Sequence, residues 1–139
     1  MKKIKRVSVI YSGTRQADKI LSDLEEIIES SGSELICSIN INLLDQKYKK
    51  RISKSELILV LGGDGTMIGS IRNLYELNIP FLGINLGTVG FLTDLSINRI
   101  QNLKDILKGE YINEIRSVFE TFSVKNKKEI FLNEVVIHS

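Results

Sequence analysis

A group of small and acidic residues, Gly62-Gly63-Asp64-Gly65-Thr66, offers the clearest chemistry in the sequence. Five apolar residues, 57–61, precede it, and apolar residues at helical spacing follow from Met67. A short apolar run stopped by glycines is typical of a buried central strand, and the glycines let the backbone approach a ligand closely. Because a helix N-terminus presents N–H groups and a positive dipole end to anions, we predict a phosphate-binding turn here.

Asp64 is the one carboxylate in this turn, and two interpretations of it are open. As a structural residue, aspartate is common in turns and at helix starts, where its side chain accepts backbone N–H bonds. As a functional residue, it could be a general base for a hydroxyl that attacks a phosphoryl group held by the glycines. The turn lacks the lysine of a P-loop and does not have the spacing of the dinucleotide G-x-G-x-x-G motif.

Strands and helices alternate along the chain up to Gly109, which the pattern identifies as a helix C-cap. This alternation predicts a parallel, Rossmann-like α/β sheet with helices on both faces. The second strand alternates between apolar and polar residues in its later part, which favours an edge position. The predicted strands cover 7–11, 35–43, 57–61 and 81–84, and the apolar helix faces run through 17–28, 67–75 and 97–107.

Three loops rich in small residues follow the predicted strands: 12–14, with Thr14 as a helix N-cap, 62–66 and 85–90. In parallel α/β sheets, ligands bind beyond the carboxyl ends of the strands. We therefore expect these loops to converge on one ligand, and their convergence supports the phosphate interpretation of the glycine turn.

The pattern changes after Gly109. Residues 115–124 and 130–137 are predicted to be two strands joined by the basic turn 125–128. Two strands do not make a stable domain by themselves. The pattern therefore predicts an α/β domain over 1–110 and the first hairpin of an all-β domain, cut short, over 111–139.

The composition is ordinary for a soluble globular protein: 139 residues, 42% hydrophobic and 26% charged, with a formal net charge of +2. This charge does not suggest a nucleic-acid partner, and no apolar run approaches the ~20 residues of a membrane span. The single cysteine fits a reducing cytoplasm, and one Cys with one His argues against a zinc site built from such ligands. We expect a cytoplasmic protein with no membrane or nucleic-acid partner.

Three blocks of the sequence resemble the NAD kinase family. The first is the glycine turn 62–66 with its preceding strand, and the third is Asn133-Glu134, near the end of the chain. The second is the glycine-spaced loop Gly83-Ile84-Asn85-Leu86-Gly87-Thr88-Val89-Gly90-Phe91-Leu92. The order and spacing of the blocks make the resemblance specific, and the chain resembles the N-terminal half of a family member.

The resemblance implies phosphorylation of the 2′-hydroxyl of the adenosine ribose of NAD, with ATP or inorganic polyphosphate as the donor. Asp64 would take the proton from that hydroxyl. A divalent ion, Mg²⁺, would be carried on the donor phosphates without a dedicated protein cage, and a full-length member would form a homo-oligomer. Asn133 and Glu134 would bind the ribose and amide edges of the substrate, and Phe91 would pack near the adenine. The full set of implied substrate- and nucleotide-binding residues is Gly62, Gly63, Asp64, Gly65, Thr66, Asn85, Gly87, Phe91, Asn133 and Glu134.

Two alternatives remain open at the level of the sequence. Lipid kinases of the diacylglycerol type are similar at the first block, but their later loop typically carries a Gly-Thr-Gly-Asn-Asp pattern. Here Gly87-Thr88 is followed by Val89-Gly90-Phe91, which disfavours that branch. The other alternative is a truncated nucleotide-binding module without catalytic activity.

Overall fold

The computed structural model describes residues 2–13, 15–87, 95–111, 118–122 and 128–132. Short 3-10 segments cover Ile41–Leu43, Tyr75–Leu77 and Ile97–Asn102. The strands are β1 (Arg6–Tyr11), β2 (Glu34–Asn40), β3 (Leu57–Gly62), β4 (Phe81–Asn85), β5 (Leu95–Ser96), β6 (Val118–Phe122) and β7 (Lys128–Leu132). The α-helices are α1 (Arg15–Ser30), α2 (Gln46–Ile52), α3 (Asp64–Leu74) and α4 (Leu103–Leu107).

The first five strands form one parallel sheet in the order β2-β1-β3-β4-β5. The strand at its centre, β3, is buried along its whole length, as its continuous apolar sequence predicts. The Rossmann-like α/β class is therefore confirmed, and so is the edge position of β2. A separate antiparallel pair, β6 and β7, forms the predicted hairpin, with Val118 opposite Leu132.

Helices cover both faces of the parallel sheet because successive residues of each strand point to opposite sides. One core layer contains Leu57 and Leu59 of β3, Leu24 of α1 and Leu103 of α4. The opposite layer contains Ile58 and Val60 of β3, together with buried residues of α2 and α3. Within the described parts of the chain, no helix combines the length and the apolar character needed to cross a membrane.

Several element boundaries differ from the prediction. β2 ends at Asn40 instead of Leu43, and Ile41–Leu43 is a 3-10 turn. The reason is that β1 ends at Tyr11, which pairs with Asn40, so no neighbouring strand continues the ladder. The Asn40 carboxamide also accepts the N–H of Asn42 at 2.9 Å, and such a local bond competes with a strand.

The helix after the glycine turn begins at Asp64, so its first turn includes residues that the sequence assigned to the glycine turn. Asn78, which follows the 3-10 segment Tyr75–Leu77, has the left-handed conformation. The parallel sheet has a fifth strand, β5, where the sequence predicted none. Lys128 belongs to β7 and not to the hairpin turn. Gly109 has a φ of 105°, as a helix C-cap glycine requires. The predicted N-cap Thr14 lies outside the described residues.

Candidate functional site

The strand order places a crevice at the glycine turn. The chain passes from β1 through α1 to β2 on one side of β1, and then through α2 to β3 on the other side. Ligands of open α/β sheets bind at such a reversal, beyond the carboxyl ends of the strands. The order 2-1-3-4-5 puts the reversal between β1 and β3, so the turn that follows β3 lies at the expected position.

The glycine turn is a tight connection between β3 and α3. Gly63 is the helix N-cap, with extended backbone angles, and its carbonyl accepts the N–H of Met67 at 3.1 Å. The first N–H groups of an α-helix have no acceptor within the helix. The N–H groups of Asp64, Gly65 and Thr66 are therefore available, by the geometry of the helix, to a capping group or an anion.

Gly62 is closely packed against the turn. A Cβ atom on Gly62 would lie 2.7 Å from Oγ1 of Thr66 and 2.9 Å from its Cβ. Thr66 is thus packed where a side chain at position 62 would have to go. This contact packs the end of β3 against the first turn of α3. Packing within the protein therefore explains why position 62 has no side chain.

Gly63 and Gly65 have the opposite surroundings. A Cβ atom added to either residue would meet no atom of the described residues within 4 Å. Neither residue has a positive φ, so neither the packing nor the backbone conformation explains the missing side chains. Open space beside two glycines at a helix N-terminus is the arrangement that lets a phosphate reach the backbone N–H groups.

Asp64 is the first residue of α3 and not its N-cap. It is half-buried, and it takes part in at least one polar or electrostatic interaction. A carboxylate in the first turn interacts favourably with the helix dipole. As the first residue of α3, it also lies in the same helical turn as the N–H groups of Gly65 and Thr66.

The loop after β4 is adjacent to the glycine turn. Asn85 pairs in register with Gly62 and is buried, with 4% of its surface exposed. Its Oδ1 accepts the N–H of Gly87 at 2.7 Å, which fixes the loop in a tight turn. The structure thus brings Asn85 and Gly87 to the same sheet edge as the glycine turn, as predicted.

Three predicted site residues, Phe91, Asn133 and Glu134, lie outside the described residues. The chain leads to the last two through β7, whose final residue, Leu132, directly precedes Asn133. β7 lies beside α3, the helix that begins at Asp64. The hairpin therefore approaches the element that carries the glycine turn.

Two side chains near the crevice have no signal in the sequence pattern. Gln16, in the first turn of α1, donates from Nε2 to the carbonyl of Leu86 at 3.1 Å. Asn40 lies against Gly13, where an added Cβ would be 2.5 Å from the Asn40 Nδ2. Both contacts join residues far apart in the sequence, so they can be found only once the arrangement of the strands is known.

The described residues contain no group of three or more His, Cys, Asp or Glu side chains that could hold a metal ion. Asp64 is the carboxylate at the glycine turn itself. A single carboxylate beside a phosphate-binding turn is a donor set that suits an Mg²⁺ ion carried mainly by ligand phosphates and water.

Comparison with known proteins identifies the family. The sequence model of the ATP-NAD kinase N-terminal domain matches residues 8–111, which include the whole parallel sheet from Ser8 of β1 onward. The chain belongs to the NAD kinase family. The matched region contains the glycine turn, the loop after β4 and Gln16.

Several bacterial proteins that are named NAD kinase are similar to this chain. One from Sulfurimonas denitrificans is 33% identical over 96% of this chain and 50% of its own length. One from Acidithiobacillus ferrooxidans is 35% identical over 93% of this chain and 46% of its own length. One from Serratia proteamaculans is 44% identical over 61% of this chain. The chain thus spans about half the length of the first two of these relatives.

Proposed function

We propose that this chain is the nucleotide-binding half of an enzyme that phosphorylates NAD to NADP. The observation that carries the proposal is the glycine turn of a NAD kinase family domain, in which Gly63 and Gly65 border open space at the N-terminus of α3. Among the described residues, no side chain stands between a phosphate and the backbone there. The named relatives, all NAD kinases, suggest the substrate.

In this proposal, the N–H groups of Gly65 and Thr66 bind phosphate oxygens. Asp64, at the start of the same helix, accepts the proton of the 2′-hydroxyl of the adenosine ribose as that oxygen attacks the terminal phosphoryl group of the donor. The bond from that phosphorus to the bridging oxygen breaks, and ADP, or a polyphosphate shorter by one phosphate, leaves. The acid and the phosphate-binding N–H groups lie within one helical turn. Phosphoryl transfer depends mainly on positioning and on charge stabilisation, so this close arrangement suits the reaction.

The donor is ATP or inorganic polyphosphate, and both present the same phosphate chemistry to the turn. A bound Mg²⁺ would neutralise charge on the donor phosphates. Asp64 is the residue at the turn that could contact it, with phosphate and water supplying most ligands. The expected contributions of Phe91, Asn133 and Glu134 to the NAD site, the cytoplasmic location and the homo-oligomeric state of a full-length protein remain part of this proposal.

A fusion protein provides the test. The C-terminal half of the Sulfurimonas denitrificans NAD kinase is joined after residue 139, and the product is incubated with NAD, Mg²⁺ and either ATP or polyphosphate. We expect NADP, measured enzymatically, and no phosphorylation of diacylglycerol by the same preparation. A folded fusion that phosphorylates diacylglycerol but not NAD would overturn the proposal in favour of a lipid kinase. A folded fusion that binds nucleotide but transfers no phosphate would favour a binding module.

A further inference from the structure

The side chain of Gln16 connects the two loops that flank the glycine turn. Its Nε2 donates to the carbonyl of Leu86 at 3.1 Å, across 70 residues of sequence. Gln16 lies in the first turn of α1, just after β1, whereas Leu86 directly follows β4. The hydrogen bond therefore joins the chain segments that leave two different strands at the carboxyl edge of the sheet.

This hydrogen bond spans the end of the strand that carries the glycine turn, because β3 lies between β1 and β4. Gly62 pairs in register with Asn85, so Gly63 and Leu86 each stand one residue beyond a paired position. Leu86 packs against the core layer beneath α1, whereas Met67 of α3 is buried in the opposite layer. The Gln16–Leu86 bond thus borders the turn on its α1 side, and α3 borders it on the other.

The loop that receives this bond is fixed from both sides. On the inner side, the buried Asn85 accepts the N–H of Gly87 at 2.7 Å. On the outer side, Gln16 holds the carbonyl of the intervening Leu86. A loop that is already ordered loses less conformational freedom when a ligand binds beside it.

We infer that Gln16 is a positioning residue, which holds the Asn85–Gly87 loop level with Gly63 so that a phosphate-bearing ligand fits between this loop and the N-terminus of α3. The inference rests on the proposed function, because that function supplies the ligand. A neutral hydrogen bond of this kind changes an equilibrium by roughly 2- to 10-fold.

The test compares three variants of the fusion protein described above, which carries the C-terminal half of the Sulfurimonas denitrificans relative. Gln16→Met removes the donor but keeps a similar length and helix propensity. Gln16→Lys returns a donor that can reach a carbonyl. Gln101→Met makes the same chemical change at an exposed position in the 3-10 segment before α4. The measurements are the hydrogen-exchange rate of the Gly87 amide by NMR without ligand, and the dissociation constants of inorganic triphosphate and ATP by calorimetry.

We expect Gln16→Met to accelerate exchange at Gly87 and to weaken binding of both ligands, each by roughly 2- to 10-fold. Gln16→Lys should restore slow exchange, and Gln101→Met should change neither quantity. Unchanged affinity in Gln16→Met would overturn the inference and leave the proposed function intact, as would fast exchange that Gln16→Lys does not restore. An unsubstituted fusion that is folded and binds neither ligand would overturn the proposed function and the inference together.

Discussion

Gly62 and Gly63 are neighbours, but they lack a side chain for different physical reasons. The space beside Gly62 is filled by Thr66, with Oγ1 at 2.7 Å from an added Cβ, whereas no described residue lies within 4 Å of an added Cβ at Gly63. Packing within the protein thus accounts for the first glycine. Close approach of a phosphate, as proposed above, would account for the second. Substitution of Gly62 should therefore lower stability, whereas substitution of Gly63 should weaken ligand binding.

Substitution at these two glycines should show that separation. We expect Gly62→Ala to lower the free energy of unfolding by about 1–3 kcal/mol, because a methyl group is forced against Thr66. Gly63→Val should cost only about 1 kcal/mol, mainly from a poorer N-cap, but it should weaken ATP binding roughly tenfold or more by blocking a charged hydrogen bond. Urea unfolding and calorimetry measure the two effects. Equal affinity for ATP in a folded Gly63→Val chain would assign both glycines to the turn alone.

Asp64→Asn tests the role of the carboxylate in the fusion that carries the C-terminal half of the Sulfurimonas denitrificans relative. The amide keeps the shape of the side chain and removes the base, so we expect turnover to fall by ~10²–10⁴. The affinity for NAD should stay within a few-fold, since the N–H groups of α3 are untouched. Steady-state kinetics with near-normal turnover would reduce Asp64 to a structural residue of the first helical turn.

The sequence was sufficient to locate the glycine turn but not all of its surroundings. Gly62–Thr66 could be predicted because a buried strand, small residues and a helix adjoin one another along the chain. Gln16 could not, since an exposed glutamine in a helix carries no pattern of its own. Its partner, Leu86, is placed beside it only when β1, β3 and β4 assemble.

At the scale of elements, strand β2 shows where periodicity is a reliable guide and where it is not. Its apolar–polar alternation correctly indicates an edge strand, but the same alternation continues into Ile41–Leu43, which is a 3-10 turn. Ile41 is apolar because it packs against α3, with its Cδ1 2.9 Å from where a Cβ of Gly69 would be. The apolar–polar pattern indicates that a residue is buried, but it does not indicate which neighbouring element buries it.

Cys37, in β2, should make the free energy of unfolding depend on pH. Burial raises the pKa of the Cys37 thiol above its ordinary value of 9.0, and the nearby positive charge of Arg51 lowers that pKa in part. Below pH 9 the thiol is protonated in the folded and in the unfolded chain, so its contribution to stability is fully present. At higher pH the unfolded chain ionises first, and stability is lost as pH rises through the folded pKa.

We therefore expect the free energy of unfolding to fall more steeply with pH above about 9 in the unsubstituted chain than in Cys37→Ala. Urea unfolding at several pH values between 7 and 10 measures this difference. Arg51→Ala should raise the pKa of Cys37 further, because the opposing positive charge is removed. Parallel pH profiles for the unsubstituted chain and Cys37→Ala would contradict the assignment of this pH dependence to Cys37.

At the scale of the whole molecule, the order of the strands decides where the site lies. The alternation of strands and helices predicts a parallel sheet, but it does not specify on which side of β1 each later strand is added. The observed order β2-β1-β3-β4-β5 brings the segments after β1, β3 and β4 together. The convergence of the three loops could be predicted, because parallel strands end at the same edge of a sheet. The position of the reversal, between β1 and β3, could be found only from the structure.

The β6–β7 hairpin and the parallel sheet differ in how stable each can be by itself. Among the described residues, β6 and β7 form a sheet of two strands, which is marginal by itself, and unpaired strand edges promote association. The two relatives that match almost all of this chain are about twice as long as the regions matched. The parallel sheet, by contrast, has five strands, two buried core layers and helices on both faces, so this part should fold by itself.

We expect the 139-residue chain alone to form little or no NADP and to associate in solution. Asn133 and Glu134, implied in substrate binding, directly follow this two-stranded sheet, and a misplacement of about 1 Å can cost ~10² in rate. Light scattering and an NADP assay on the chain, with the fusion as the matched control, test both statements. The fusion should be active and more uniform in size. A monodisperse chain as active as the fusion would show that the first 139 residues contain the whole catalytic apparatus.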